Sequence, residues 1–163
     1  MTPTIYKNNT FKNYIIEITA AIFILLFVYT AVSKFMNIQK FQVSLQSSPV
    51  LSFAPEIISV AIPVIEIVIA SLLFFPATRK WGFISSLILM TGFTFYIAYM
   101  LLFSPKLPCS CGGIVGELSW RQHLFVNLIL TSLAATAVFI QTKFFIAINR
   151  TSRKPVNRVG ANF

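Results

Sequence analysis

The sequence has few charged residues. Only 10% of its 163 residues are Asp, Glu, Lys or Arg, whereas an ordinary soluble domain has roughly 25%. Hydrophobic residues make up 56% of the chain, more than a water-soluble fold of this length can hide from solvent. A lipid bilayer removes the need to hide them. The composition therefore excludes a soluble domain and predicts an integral membrane protein.

Several motifs that identify enzymes and transporters are absent as well. The chain has no glycine-rich phosphate-binding loop, no H-E-x-x-H metalloprotease motif and no recognisable Ser/His/Asp set for acyl transfer. It also lacks the run of intramembrane charges that an ion pump needs. With one histidine, two cysteines and four acidic residues, any chemistry must rest on a few side chains.

Four long apolar segments are present, each close to the roughly 20 residues that cross a bilayer. Such segments are helical in lipid because a helix satisfies its own backbone hydrogen bonds. The first segment is too long for the apolar part of a signal peptide, so we expect it to be retained. The sequence predicts an all-α, integral membrane four-helix bundle over residues 13–142, with helices at about 14–33, 57–75, 81–103 and 121–141.

The segments outside the bundle are short. Residues 1–12 form a cytoplasmic N-terminus, and residues 143–163 form a basic tail that we expect to be disordered. The region from residue 39 to 56 is less polar than a free loop, so we expect a short helix on the membrane surface there.

The distribution of basic residues predicts the orientation of the bundle. With both termini in the cytoplasm, nine of the 13 Lys and Arg residues lie inside and four lie outside. The sequence therefore predicts an N-in/C-in protein whose segment 104–120 faces out. The basic tail would face anionic lipid, and no nucleic-acid partner is expected.

Both cysteines, Cys109 and Cys111, lie in the outer sequence Pro-Cys-Ser-Cys-Gly-Gly. Disulfides persist on that side of the membrane, and the tight ring of a C-x-C bridge favours a labile, oxidising bond. The pattern indicates a redox-active pair that exchanges electrons with a partner thiol. One alternative is a static clip, although so short a loop constrains the unfolded chain little. Another is zinc or copper bound by both cysteines and His123, with the fourth ligand from Glu117 or a partner, but the usual four-ligand spacing is absent and no metal site is predicted.

A few polar residues in the apolar segments are candidates to support the cysteines. Glu66 lies in the middle of the second segment, where a carboxylate is costly and needs a partner inside the bundle. Asn127 lies at a comparable depth in the fourth segment and would help to organise a polar interior. His123, Arg121 and Lys34 lie near outer helix ends, where a cation would favour a thiolate. The alternative roles are hydrogen bonding between helices and anchoring at the lipid headgroups.

These residues resemble the MauE/DoxX-like family of bacterial redox-associated membrane proteins over about residues 10–141. The shared features are residues 29–35 (YTAVSKF), residues 63–66 (PVIE), the loop at 108–113 (PCSCGG), and Trp120, His123 and Asn127 in the fourth segment. The cysteine loop with the following Trp, His and Asn is the most specific of them.

The resemblance implies a protein of the bacterial inner membrane with a periplasmic cysteine loop. A MauE-like protein would support disulfide formation in, or deliver reductant to, a periplasmic thiol partner, and MauE members are linked to methylamine dehydrogenase maturation. No cofactor is evident from the residues, although DoxX-type subunits are associated with a quinone-reducing complex. The chain lacks the second cysteine pair that quinone-coupled disulfide oxidases use as a relay. A non-enzymatic scaffold or accessory subunit therefore stays as the alternative to a thiol–disulfide oxidoreductase.

Overall fold

The computed structural model describes residues 4–103 and 119–152. Within these ranges the secondary structure is helical, without strands. In chain order the helices are α1 (Thr4–Met36), α2 (Ile38–Gln46), α3 (Pro55–Phe74), α4 (Arg79–Phe103) and α5 (Trp120–Ser152). The predicted all-α fold is confirmed.

Four of the helices are long and apolar enough to cross a membrane. The candidate spans are Asn13–Met36 in α1, Pro55–Phe74, Arg79–Phe103, and Arg121–Lys143 in α5. The four-span prediction is therefore confirmed. Helix α5 continues to Ser152, so residues 143–152 of the segment predicted as a tail are helical. Neither glycine nor proline interrupts this stretch before Pro155.

The long helices run up and down, with α1 against α3, α3 against α4 and α4 against α5. Their apolar core is concentrated in the half of the bundle near the turn between α3 and α4. Phe23 and Phe27 of α1, Leu73 of α3 and Phe83 of α4 are fully buried there. Gly82 allows α3 and α4 to approach closely, because an added Cβ would lie 2.9 Å from the Leu73 backbone nitrogen.

Helix α2 covers the opposite end of the bundle, which we call the α2 end. Phe41 and Leu45 on one face of α2 are buried, whereas Lys40 on the other face is exposed. The Gln42 Nε2 group donates a hydrogen bond of 3.2 Å to Ser59 Oγ of α3. The short helix expected between residues 39 and 56 is thus present and held against α3.

The α2 end is also where α4 ends and α5 begins. Phe103 and Ser119 are the described residues on either side of segment 104–118, which contains Cys109 and Cys111. Both cysteines lie outside the described residues. The N-terminal half of α3 is at the same end, because α3 follows α2 in the chain.

Candidate functional site

A buried ion pair joins α1 to α3 near the α2 end. Lys34 Nζ lies 2.5 Å from Glu66 Oε1, and the two side chains are only 12% and 2% exposed. Lys34 is in the last turn of α1, and Glu66 is in the middle of α3. An acid at that depth needs a partner inside the bundle. The structure identifies this partner as Lys34.

The second carboxylate oxygen of Glu66 has a different environment. Glu66 Oε2 is buried and has no hydrogen-bond partner among the described residues. Leaving a buried acceptor unpaired usually costs free energy, and such groups often mark a functional position. The carboxylate therefore has an unused acceptor immediately beside the Lys34 ammonium.

The ion pair lines a cavity of about 890 Å³ between the helices of the α2 end. All five helices contribute to its lining, and most of the lining side chains are apolar or aromatic. The rings of Phe41 and Phe93 lie 6.0 and 5.8 Å from Lys34 Nζ, at the outer limit of a cation–π contact. A mainly apolar cavity with a few convergent polar groups is typical of a small-molecule site.

Two predicted site residues of α5, His123 and Asn127, also line this cavity. They are one helical turn apart, and Asn127 Nδ2 donates a hydrogen bond of 3.2 Å to the His123 carbonyl oxygen. One turn further, Thr131 Oγ1 lies 3.1 Å from Thr94 Oγ1 of α4. These groups form a polar seam that runs from the cavity into the contact between α4 and α5.

The structure thus brings four of the predicted residues together and leaves one outside. Lys34, Glu66, His123 and Asn127 share the cavity, whereas Arg121 is exposed on α5 and is not among the lining residues.

The metal alternative depended on Cys109, Cys111 and Glu117, which all lie outside the described residues. Within residues 4–103 and 119–152, no group of three His, Cys, Asp or Glu side chains is placed to hold a metal ion.

No residue of α4 was predicted as a site residue, although this helix forms one wall of the cavity. Gly92, Phe93, Tyr96 and Tyr99 line the cavity. Phe93, Tyr96 and Tyr99 recur every three residues along one side of the helix, and this spacing is the signal that would have indicated a common face. Gly92 is exposed, and a Cβ added there would meet no atom within 4 Å. The wall formed by α4 is therefore open at this residue.

Comparison with known families gives a match over residues 12–140, to the family described as Methylamine utilisation protein MauE. The chain belongs to the MauE family. The match extends from the start of the α1 span to residue 140 of α5 and so includes both helices of the ion pair. No curated protein and no solved structure matches the chain. The molecule is therefore a multi-pass membrane protein of the MauE family, whose description links it to methylamine utilisation.

Proposed function

We propose that this MauE-family protein is a membrane thiol–disulfide oxidoreductase that acts through Cys109 and Cys111. The observation that supports it best is the Lys34–Glu66 ion pair, which is buried beside a cavity at the end of the bundle where segment 104–118 connects α4 to α5. A cation and a carboxylate kept at that depth are costly to the fold, and intramembrane ionisable residues usually have a functional role.

The proposed exchange occurs between a Cys109–Cys111 disulfide and the dithiol of a partner protein. A partner thiolate attacks one sulfur, the Cys109–Cys111 bond breaks, and a mixed disulfide forms. The second partner thiol then resolves it. One S–S bond is lost here and one is gained in the partner, and two electrons and two protons pass to Cys109 and Cys111. The same steps in reverse would deliver reductant.

We infer that the exchange takes place on the periplasmic side of the bacterial inner membrane. The excess of basic residues in residues 1–12, 76–80 and 143–163 supports an N-in/C-in orientation, which puts segment 104–118 outside. The partner would be a periplasmic protein with a cysteine pair. The family description supports a partner that serves methylamine utilisation.

A scaffold or accessory subunit is the second candidate function. It is favoured by the position of the ion pair, which joins α1 to α3 whatever the state of the cysteines. In that case the cysteine loop would be a clip or a docking surface.

The redox state of Cys109 and Cys111 in native membranes separates the two functions. Membranes are quenched with acid, free thiols are labelled with a maleimide, and the intact mass is measured before and after a brief dithiothreitol pulse and washout. We expect a mixed population that re-oxidises within minutes. A pair that stays oxidised and resists mild reductant would instead support the scaffold.

Trapping the partner provides a second test. The C111S variant keeps Cys109 as a single thiol, which can attack the disulfide of an oxidised partner and form a mixed disulfide with it. Because Cys111 is missing and cannot resolve this bond, the mixed disulfide should be preserved by acid quenching and recovered by affinity purification. The C109S/C111S variant is the matched control and should recover nothing through a disulfide. The oxidoreductase proposal would be overturned if cells that carry the double variant grew on methylamine as well as cells that carry the wild type.

A further inference from the structure

We propose that the cavity at the α2 end binds the ring of a lipid-soluble quinone and its hydroquinone, with Glu66 and Lys34 as the polar contacts. Binding depends on the cavity alone. The role of this ligand as the electron acceptor for Cys109 and Cys111 rests on the proposed function.

A hydrogen-bond acceptor and a donor meet at one point of the cavity. Glu66 is 1% exposed, and its Oε2 atom accepts no hydrogen bond from the described residues. Lys34 Nζ, which carries three N–H donors, bonds Oε1 of the same carboxylate. A hydroxyl group on the ligand would donate to Oε2, and a carbonyl oxygen in its place would accept from Nζ. A ring oxygen that is a hydroxyl in the hydroquinone and a carbonyl in the quinone therefore has a partner in each form, Glu66 Oε2 in the first and Lys34 Nζ in the second.

The charge of the site favours an uncharged ligand. Lys34 and Glu66 neutralise each other, so a phosphate or carboxylate ligand would leave a net charge in a buried, mostly apolar site. A quinone and its hydroquinone are both uncharged, and they differ only in the hydrogens that the two contacts distinguish.

The aromatic lining of the cavity favours a flat ring. Phe41 and Phe93 flank the Lys34 ammonium at about 6 Å, and Tyr96 and Tyr99 of α4 complete an aromatic lining. Aromatic walls hold such a ring by offset or edge contacts. The volume of about 890 Å³ lies within the range of roughly 300–1,000 Å³ typical of small-molecule sites. It accommodates a substituted ring and the first part of an isoprenoid chain.

One wall of the cavity belongs to an exposed face of a candidate membrane span. Gly92 is exposed on a membrane-spanning helix, and its missing side chain leaves the α4 wall open. Ile88 and Phe95, one turn away on either side, are exposed as well and also line the cavity. These three residues lie near the middle of the span Arg79–Phe103, so this side of the cavity would meet the hydrocarbon region, and that position favours a ligand that dissolves in lipid.

The reaction that follows balances in electrons and protons. The Cys109–Cys111 dithiol loses two electrons and two protons as two S–H bonds break and one S–S bond forms. The quinone takes up both electrons, and two O–H bonds form at its ring oxygens. Glu66 and Lys34 would hold one ring oxygen while its hydrogen is gained.

Binding is tested with the full chain in lipid nanodiscs, titrated with a short-chain benzoquinone and separately with its hydroquinone. The K34M/E66L variant removes both polar contacts without leaving an unpaired charge, and we expect about tenfold or greater loss of affinity. E17Q, which alters the exposed pair with Arg79 at the other end of the bundle, is the matched control and should bind like the wild type. Equal affinity in K34M/E66L and the wild type would overturn the site.

Two further measurements keep the test decisive if K34M/E66L does not fold. G92F adds a ring at a point of the cavity wall where a Cβ would meet no atom within 4 Å, and it should weaken binding, whereas G92A should bind almost normally. A photoreactive azidoquinone should label peptides that include residues 92–99. Labelling of other peptides would contradict the proposal. So would a co-purified phospholipid whose acyl chain occupies the cavity and is not displaced by the quinone.

The C109S/C111S variant separates this inference from the proposed function. If it binds the benzoquinone like the wild type but the wild-type cysteines do not cycle, the site stands and the oxidoreductase proposal fails. If the cysteines cycle while the wild type binds no quinone, the proposed function stands and the quinone site fails.

Discussion

Lys34 and Glu66 form an ion pair whose side chains are only 12% and 2% exposed, although Lys34 lies in the last turn of α1 and Glu66 in the middle of α3. K34M leaves the Glu66 carboxylate as an uncompensated buried charge, so it should lower the free energy of unfolding by about 3–5 kcal/mol. E66L should cost less, because the freed Lys34 side chain can extend to the headgroups. K34M/E66L should be close to the wild type.

The measurement is unfolding by sodium dodecyl sulfate in mixed micelles, followed by far-UV circular dichroism. E17Q is the control, because Glu17 is 64% exposed in its pair with Arg79 and should cost at most about 1 kcal/mol. If the losses in unfolding free energy of the two single variants simply add in K34M/E66L, the two charges are not coupled.

The effect of a glycine substitution in α4 on the free energy of unfolding should depend strongly on its position. A Cβ at Gly82 would lie 2.9 Å from Leu73 atoms, including the backbone nitrogen, so α3 and α4 must move apart in G82A. We expect a loss of about 1–3 kcal/mol. A Cβ at Gly92 meets nothing within 4 Å, so G92A should be neutral or slightly stabilising. The same detergent titration measures both, and equal costs would contradict the close approach of α3 and α4 at Gly82.

The hydrogen bond between Thr94 and Thr131 should contribute little to the stability of the bundle. Each hydroxyl also lies within hydrogen-bond distance of a carbonyl of its own helix, at 2.7 Å for Thr94 and 2.8 Å for Thr131. A hydroxyl has one proton to donate, so the 3.1 Å contact between the helices competes with these bonds. A double-mutant cycle of T94V and T131V should give a coupling of about 0.6 kcal/mol or less. A coupling well above about 1 kcal/mol would mean that the interhelical bond is the preferred one.

The proposed orientation predicts which thiols a membrane-impermeant maleimide reaches. After mild reduction, Cys109 and Cys111 should be labelled in spheroplasts. A161C in a C109S/C111S background should be labelled only after the membrane is permeabilised. The reverse pattern would place both termini outside and would remove the periplasmic thiol partner from the proposed function.

Much of the bundle could be predicted from the sequence because lipid leaves few alternatives. Long apolar segments must be helices, and an acid such as Glu66 must find a partner. The identity of that partner was not predicted. Lys34 lies near a helix end, where a long flexible side chain can equally extend to the headgroups. Whether Lys34 pairs with Glu66 or extends to the headgroups depends on how α1 and α3 pack. The position of one residue along its helix does not determine that packing.

The cavity was beyond sequence reasoning for a related reason. Its volume depends on how far α4 lies from α1 at the α2 end and on the position of α2 across that end, and both follow from packing of the whole chain. Tyrosines near a helix end are typical of interfacial or packing positions, and Gly92 carries no signal by itself. Cys109 and Cys111 stay a prediction from the sequence pattern.

The buried ion pair also has a consequence for biogenesis. Lys34 is made 32 residues before Glu66, a delay of a few seconds at roughly 5–20 residues per second. While α1 waits in the membrane, its terminal lysine can keep its ammonium at the headgroups. Glu66 lies in the middle of its helix and cannot extend to the headgroups. A lone charge at a helix centre costs about 2.5–3.5 kcal/mol on insertion scales. Because α1 precedes α3 in the chain, Lys34 is already in the membrane when Glu66 leaves the translocon, and formation of the pair would offset the cost of inserting the acid.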